Sequence, residues 1–366
     1  MKVATSLIFG NQATPDLAAQ AVSHAMHKAD ITVANSVLLL LTSEFSSNPQ
    51  PAIKAAAKIA NCMQVMGCTA SGIFTEDDWV LDTPAAAAMV FSDDITLQVS
   101  SQNPTQQPLL TLSAPNAINS TWLNDGNVRY GGVSGDAIGQ GNFSVWQNAK
   151  GDLSGKIDGF FTGVNMVTRA SHGLQLLTQP LEIKQVNGFD ISLLNGHTSQ
   201  NHQKPYAVLQ KAWKAHSKSN APIPLHLMMA TYANNVADIN CGNFSQTSVI
   251  AYDEASGSIT LAQALQAGQF ISWGLRDTTV AEADMFLTTH QLSQDLGKKP
   301  AFGLLFSSMG RGPYFYNGID RDLKIITKQL PDMPLLGFYG NGQLAPTHDQ
   351  NQLLPYSAVL SLFAKT

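Results

Sequence analysis

Charge is what this chain has least of. Of its 366 residues only 13% are Asp, Glu, Lys or Arg, about half the share of an ordinary soluble domain. The 21 basic residues are outnumbered by 26 acidic ones, for a formal charge of −5, and no run of Lys and Arg could track a phosphate backbone. Nucleic-acid binding, which rests on basic patches, is excluded at this level. The 3 cysteines, Cys62, Cys68 and Cys241, are too few for a disulfide framework, and none forms a C-x-x-C pair, so a reducing compartment is expected. Long apolar runs are also missing. Stretches such as Val37–Leu41 are strand-sized and too short to span a bilayer, and Val3–Gly10 is shorter and more polar than the core of a secretory leader. The expectation is a cytoplasmic protein that engages neither membrane nor nucleic acid.

What is present is a 44% share of hydrophobic residues, enough for the cores of two domains. Val3–Phe9 reads as a buried strand. Thr14-Pro15-Asp16 then opens a helix with a hydroxyl cap, a proline in the first turn and an acid at the positive helix end. Val37–Leu41 is a second buried strand, Pro51 opens a second helix through Ala60, and Gln64–Gly67 returns as a strand. Ala86–Phe91 and Ile95–Ser100 read as a hairpin. Asn187-Gly188 between Leu181–Val186 and Phe189–Leu194 is a stronger hairpin signal. Lys204–His216 reads as a helix, and another starts at Asp277-Thr278 and ends before Gly297. The change of pattern near residue 203 divides the chain into 1–203 and 204–366.

Three segments share one pattern: Met66-Gly67-Cys68-Thr69-Ala70-Ser71-Gly72, Gly131-Gly132-Val133-Ser134-Gly135-Asp136-Ala137, and Leu336-Gly337-Phe338-Tyr339-Gly340-Asn341-Gly342. Similar strands lie upstream of them at Leu38–Ser43, Leu109–Ser113 and Leu304–Ser308. A recurring strand–helix–strand–loop unit follows. Its glycines suit a chain turning sharply off a strand end, where backbone can approach a ligand; the plainer reading is a tight turn at the sheet rim. The fold class expected is α/β in the broad sense, with α+β mixed sheets. It would consist of two domains of repeated strand–helix–strand units with helices outside partly antiparallel sheets.

Few residues stand out as chemistry. Arg311, between Gly310 and Gly312 after a buried strand, has a planar fork suited to a carboxylate or phosphate, or else it pairs with a structural carboxylate. Asp136 in its glycine-rich turn could take an ammonium or hydroxyl group, or bond its own backbone as turn aspartates do. Ser308 and Cys68 are nucleophile candidates with His172 as a base, but neither has the G-x-S-x-G context. No histidine or cysteine spacing suits zinc, and no phosphate loop is present. Haem needs one axial histidine and an apolar slot, for which His172, His197, His202, His226 and His290 are formal candidates.

Taken together these motifs resemble the FIST family, bacterial proteins proposed as small-ligand sensors, with an N-terminal and a C-terminal FIST domain. Val65–Gly72 is similar to the family's glycine-cysteine motif and Gly131–Asp136 to its G-G-x-x-G-D element. His172-Gly173 with Val186-Asn187-Gly188 resembles its His-Gly segment. Trp273-Gly274-Leu275-Arg276-Asp277 is similar to its L-R-D helix start, and Ser307–Gly312 to its Ser-Cys-x-G-R-G motif. Gly337–Pro346 resembles its final G-F-x-x-x-G-E-I-x-P. Ser308 stands where the family motif has Cys and Gln343 where it has Glu.

The resemblance implies a non-enzymatic sensory protein that binds a small polar ligand, with amino acids suggested, and signals through a separate kinase- or cyclase-type protein. A ligand carboxylate would meet Arg311 and its ammonium group Asp136. Cys68, Thr69, Gly132, Ser134, Ser308, Gly310, Asn341 and Gln343 would line the turns around it. That reading requires no cofactor. A branch of the family implies the alternative of a haem-binding nitric-oxide sensor acting on a histidine kinase, with His172 as its ligand. A hydrolase or transferase using Ser308 or Cys68 is the second alternative. The oligomeric state is left open.

Overall fold

The three glycine segments mark three copies of one arrangement of strands. In the computed structural model, which describes residues 2–100, 107–134, 145–196, 202–347 and 350–366, the chain forms two compact units. The first comprises residues 1–172 and 284–366, the second residues 173–283. These cuts differ from the change of sequence pattern near residue 203. The reason is that Phe302–Ser308, Leu335–Gly340 and Ala358–Lys365 return to share a sheet with Val164–Ser171 and Gly72–Thr75. The class is mixed α+β, as the sequence implies.

The first unit contains three 6-stranded sheets. The first runs Val3–Phe9, Ala85–Phe91, Ser36–Thr42, Val65–Ala70, Val145–Gln147, Lys150–Gly151. The second runs Thr96–Val99, Lys156–Thr162, Leu109–Ser113, Arg129–Val133, Gly342–Thr347, Gln350–Leu354. The third runs Val164–Ser171, Ala358–Lys365, Phe302–Ser308, Leu335–Gly340, Gly72–Thr75, Trp79–Leu81. In each the central pair is parallel and every other neighbour antiparallel. A parallel pair needs a crossover, supplied here by the helices Gln50–Ala60, Ser120–Leu123 and Arg321–Gln329. After its second parallel strand each copy leaves its own sheet and adds a strand to another. Gly72–Thr75 joins Leu335–Gly340, Gly342–Thr347 joins Arg129–Val133, and Val145–Gln147 joins Val65–Ala70.

Close backbone approach fixes which glycines are equivalent. A Cβ on Gly67 would lie 1.7 Å from the Leu39 carbonyl oxygen, one on Gly131 2.0 Å from that of Thr111, and one on Gly337 2.1 Å from that of Leu305. Only glycine fits such places. The sequence pattern aligns Gly132 with Gly67 and Gly337; the packing aligns Gly131, a slip of one residue. Cys68, Gly132 and Phe338 are therefore equivalent, as are Ala70, Ser134 and Gly340.

One core collects side chains from all three sheets, including Met66, Cys68, Leu112, Ile157, Phe306 and Phe338. At its centre Phe302 stacks on Phe363 with ring centroids 4.3 Å apart, and Phe91 and Phe161 meet them edge-on or tilted. Each such buried ring contributes roughly 1.5–3 kcal/mol. The outer face of the first sheet is covered by the helices Pro15–Ala29 and Gln50–Ala60. That of the third is covered by Met285 and Leu292 of the helix Thr278–Leu296 and by Leu323 and Ile326 of Arg321–Gln329. Among the described residues the second sheet has only the short helix Ser120–Leu123, and its outer face carries Thr111, Arg129 and Asp158 instead.

The hairpin expected from Ala86–Phe91 and Ile95–Ser100 does not form. Ala85–Phe91, buried along its whole length, is flanked on both edges by Val3–Phe9 and Ser36–Thr42, and Thr96–Val99 pairs in the second sheet. Both edges of the alanine-rich strand are thus already taken. In the second unit the hairpin Leu181–Asn187 with Asp190–Asn195 does form. It belongs to an antiparallel 8-stranded sheet that closes on itself, because Met228–Ala233 pairs with both Ser245–Asp253 and Phe270–Arg276. Leu181, Ile191, Met228, Ile259 and Trp273 fill its core with Leu209 of the helix Pro205–Ser217. Among the described residues no helix is long and apolar enough to cross a membrane.

Candidate functional site

In each copy the residue after the carbonyl-packed glycine points into the shared core, and the incoming strand sets one residue opposite it. Val145 pairs with Cys68, Ile73 with Phe338, and Gln343 with Gly132. All three incoming residues have 0% exposure. Two are aliphatic, and the third carries an amide. Neither Oε1 nor Nε2 of Gln343 has a hydrogen-bond partner among the described residues. Two residues beyond Gly132, where the other copies have Ala70 and Gly340, Ser134 is fully buried and its hydroxyl is likewise unpartnered. Alternation along the strand sets Gly132 and Ser134 on one face. An unsatisfied buried polar group costs on the order of 1–3 kcal/mol. This copy departs from the repeat twice, both times toward polarity, on one patch.

The patch joins several residues singled out in the sequence. The Asn341 backbone N–H donates to the Val133 carbonyl at 3.0 Å, and its side-chain amide donates to the Ser134 carbonyl at 3.5 Å. Leu354 flanks Gln343 on its other edge. A Cβ on Gly132 would lie 2.6 Å from Cζ of Phe338, so that ring fills the space a side chain would take. On the neighbouring strand end Ser308 Oγ accepts from the Gly310 N–H at 3.2 Å, and the Met309 N–H donates to the Gly340 carbonyl at 3.1 Å. Gly132, Ser134, Asn341 and Gln343 are thus brought together, and Ser308 and Gly310 close the adjacent strand end. Asp136 lies outside the described residues.

Three expected residues are placed elsewhere. Cys68 is buried in the common core, where burial pushes its thiol far above the usual range, the opposite of what a nucleophile needs. Thr69 faces the other side of the first sheet, toward Val65 and Trp146. Its hydroxyl and the Trp146 indole N–H are unpartnered among the described residues. Arg311 is 1% exposed, and the guanidinium expected to meet a ligand carboxylate meets Asp322 instead. Its Nε lies 2.8 Å and its Nη2 3.3 Å from the two carboxylate oxygens, while the Ser171 carbonyl and hydroxyl accept from it at 2.6 and 2.7 Å. Tyr316 donates to Asp322 at 2.8 Å, and Tyr339 donates to Asp320, which also caps the helix Arg321–Gln329 at the Leu323 N–H. Burial works against the Arg311 charge, but Asp322 outweighs it and holds the guanidinium protonated. Burial, with the charge of Asp322 beside it, pushes Asp320 up to about 6.

A polar cleft of about 530 Å³ lies on the outer face of the second sheet, lined by Asp125, Arg129, Gln147, Asp152, Lys156 and Asp158 among others. Sequence reasoning missed Arg129, which stands two residues before the Gly131-Gly132 motif but is not part of it. Its fork donates to Asp125, Asp158, Thr111 and the Trp122 carbonyl. These groups satisfy one another and form the cover that helices provide on the other two sheets. Neither this cleft nor two of about 260 Å³ elsewhere in the unit is lined by His172. Nδ1 of His172 faces the Ser357 hydroxyl at 3.4 Å. His202, His226 and His290 are exposed, and His197 lies outside the described residues.

A model described as the FIST C domain matches residues 206–346. An uncharacterised protein of Mycobacterium tuberculosis strain H37Rv is 24% identical over 238 residues, 65% of this chain and 61% of that protein. An uncharacterised protein of Mycobacterium bovis is 24% identical over 240 residues, with the same shares covered. The chain thus matches 61% of the length of these relatives.

Proposed function

We propose that this chain, whose residues 206–346 match the FIST C domain, is a sensory protein of that family. It binds a small polar ligand, of the size of an amino acid, between the strand ends of Arg129–Val133 and Gly342–Thr347. Gln343 and Ser134 supply the side-chain contacts, and Asn341 and Gly132 the backbone setting. One observation carries the reading: two fully buried, unpartnered polar groups on one patch, where equivalent positions in the same chain hold Val145, Ile73, Ala70 and Gly340. The fold manages without polarity there twice, so the third copy has it for another reason. The role is binding rather than catalysis, and the signal passes to a separate kinase- or cyclase-type protein.

The test is a thermal-shift and calorimetric panel of amino acids and small polar metabolites on the whole chain. A ligand at a hundred times its Kd adds about 2.7 kcal/mol to stability. The expected outcome is a selective stabiliser whose effect disappears in Gln343→Ile and falls in Ser134→Ala. A stabiliser indifferent to both substitutions would place the site elsewhere.

A further inference from the structure

The chemistry of Gln343 narrows what it can read, given the site just proposed. Its two ladder neighbours are Gly132 and Leu354, and the space beside Gly132 is filled by Phe338 and Phe306. Nothing in that set carries charge. Arg311, the nearest motif cation in sequence, is engaged with Asp322 and Ser171. An ionised group brought against Gln343 would lose its water without gaining a countercharge from these described neighbours, which is costly in an apolar setting. A primary amide, in contrast, offers a donor and an acceptor side by side. Its natural complement is a second amide edge with N–H and C=O on the same side, which closes two parallel hydrogen bonds.

We propose that the part of the ligand meeting Gln343 is an uncharged amide edge, as in a carboxamide, lactam or imide, and not a carboxylate or an ammonium group. The N–H of that edge donates to Oε1 and its carbonyl accepts from Nε2. Ser134, on the same face, takes one further polar atom. A family glutamate at this position would prefer a cation; the glutamine here selects a neutral partner.

The proposal is tested with succinimide, 2-pyrrolidone and acetamide as neutral probes and glycine, alanine and acetate as charged ones. Binding to the whole chain is followed by ligand-detected NMR and thermal shift. Wild type should bind at least one neutral probe and none of the charged ones through Gln343. Gln343→Glu, nearly isosteric, should weaken the neutral probe at least about tenfold, since an acceptor then replaces the donor that faced its carbonyl. Gln343→Ile should abolish its binding, and a folded Gln343→Ile, checked by its own unfolding transition, keeps that loss interpretable. A charged probe that binds wild type and is lost in Gln343→Ile overturns the ligand class while leaving the site standing. Probe binding insensitive to both Gln343 and Ser134 overturns the site as well. No shift with any neutral probe at millimolar concentration overturns the class.

Discussion

Arg311 and Gln343 are both buried, both lie just past a strand of the same parallel pair, and both directly follow a glycine. Their surroundings differ in one respect. The Arg311 guanidinium is held by Asp322 and Ser171, with Tyr316, Tyr339 and Asp320 extending the network. The Gln343 amide has no such partners among the described residues. Burial therefore does not separate Arg311 from Gln343; their hydrogen bonding among the described residues does. A buried ion pair with its hydrogen bonds made is a piece of architecture, and a buried amide with none made among the described residues is what the proposed ligand would satisfy.

Breaking the comparison is most disruptive where an unsatisfied amide is introduced into a copy that lacks one. Ile73→Gln should cost about 4 kcal/mol or more, from lost apolar burial plus an unpaired amide. Urea denaturation measures it, and a cost under about 1 kcal/mol would show that this environment tolerates amides generally. Arg311→Ala leaves the buried Asp322 carboxyl without its countercharge, and should cost about 3–5 kcal/mol. The same denaturation checks it, and a near-neutral result would mean that Arg311 is not structural.

Asp320 sharpens the partnered side by its pH dependence. Its folded pKa, about 6, lies above the unfolded value of 3.8, so its contribution is full below about pH 4 and is lost as pH rises through 6. Asp320→Asn, which keeps a capping oxygen, should remove about 2–3 kcal/mol of the stability difference between pH 4 and pH 7. Unfolding curves at those two pH values read it directly, and an unchanged difference would assign the titration to another group. Ser134→Ala has the smallest expected effect. It matches Ala70 of the first copy, so the ligand-free chain should be unchanged or stabilised by up to about 1 kcal/mol; a clear loss would mean that the hydroxyl is already bonded.

Much of this was legible before any coordinates. The repeats announced three strand–helix–strand units, Asn187-Gly188 announced its hairpin, and Asp277-Thr278 was read as a helix start, where Asp277 accepts from the Thr279 and Val280 N–H groups at 2.9 Å. The register was not legible, because Gly131-Gly132 offers two glycines and only the Thr111 carbonyl decides between them. The fate of Arg311 was not legible either: an arginine between glycines reads the same whether its partner is a ligand or an aspartate 11 residues on. Ala86–Phe91 was misassigned because strand propensity says nothing about which edges are free. Gln343 stood out only as a departure from a family motif; its lack of partners among the described residues depends on how the strands pack around it.

The most direct test is the stability of Gln343→Ile without any ligand. If the amide is unsatisfied, replacing it with the residue that stands at the equivalent position 73 should stabilise the chain by about 1–3 kcal/mol, with a raised denaturation midpoint and an unchanged slope. A loss of stability of similar size would mean that the amide is already bonded in the folded chain. The distinction between Gln343 and Arg311 would then disappear.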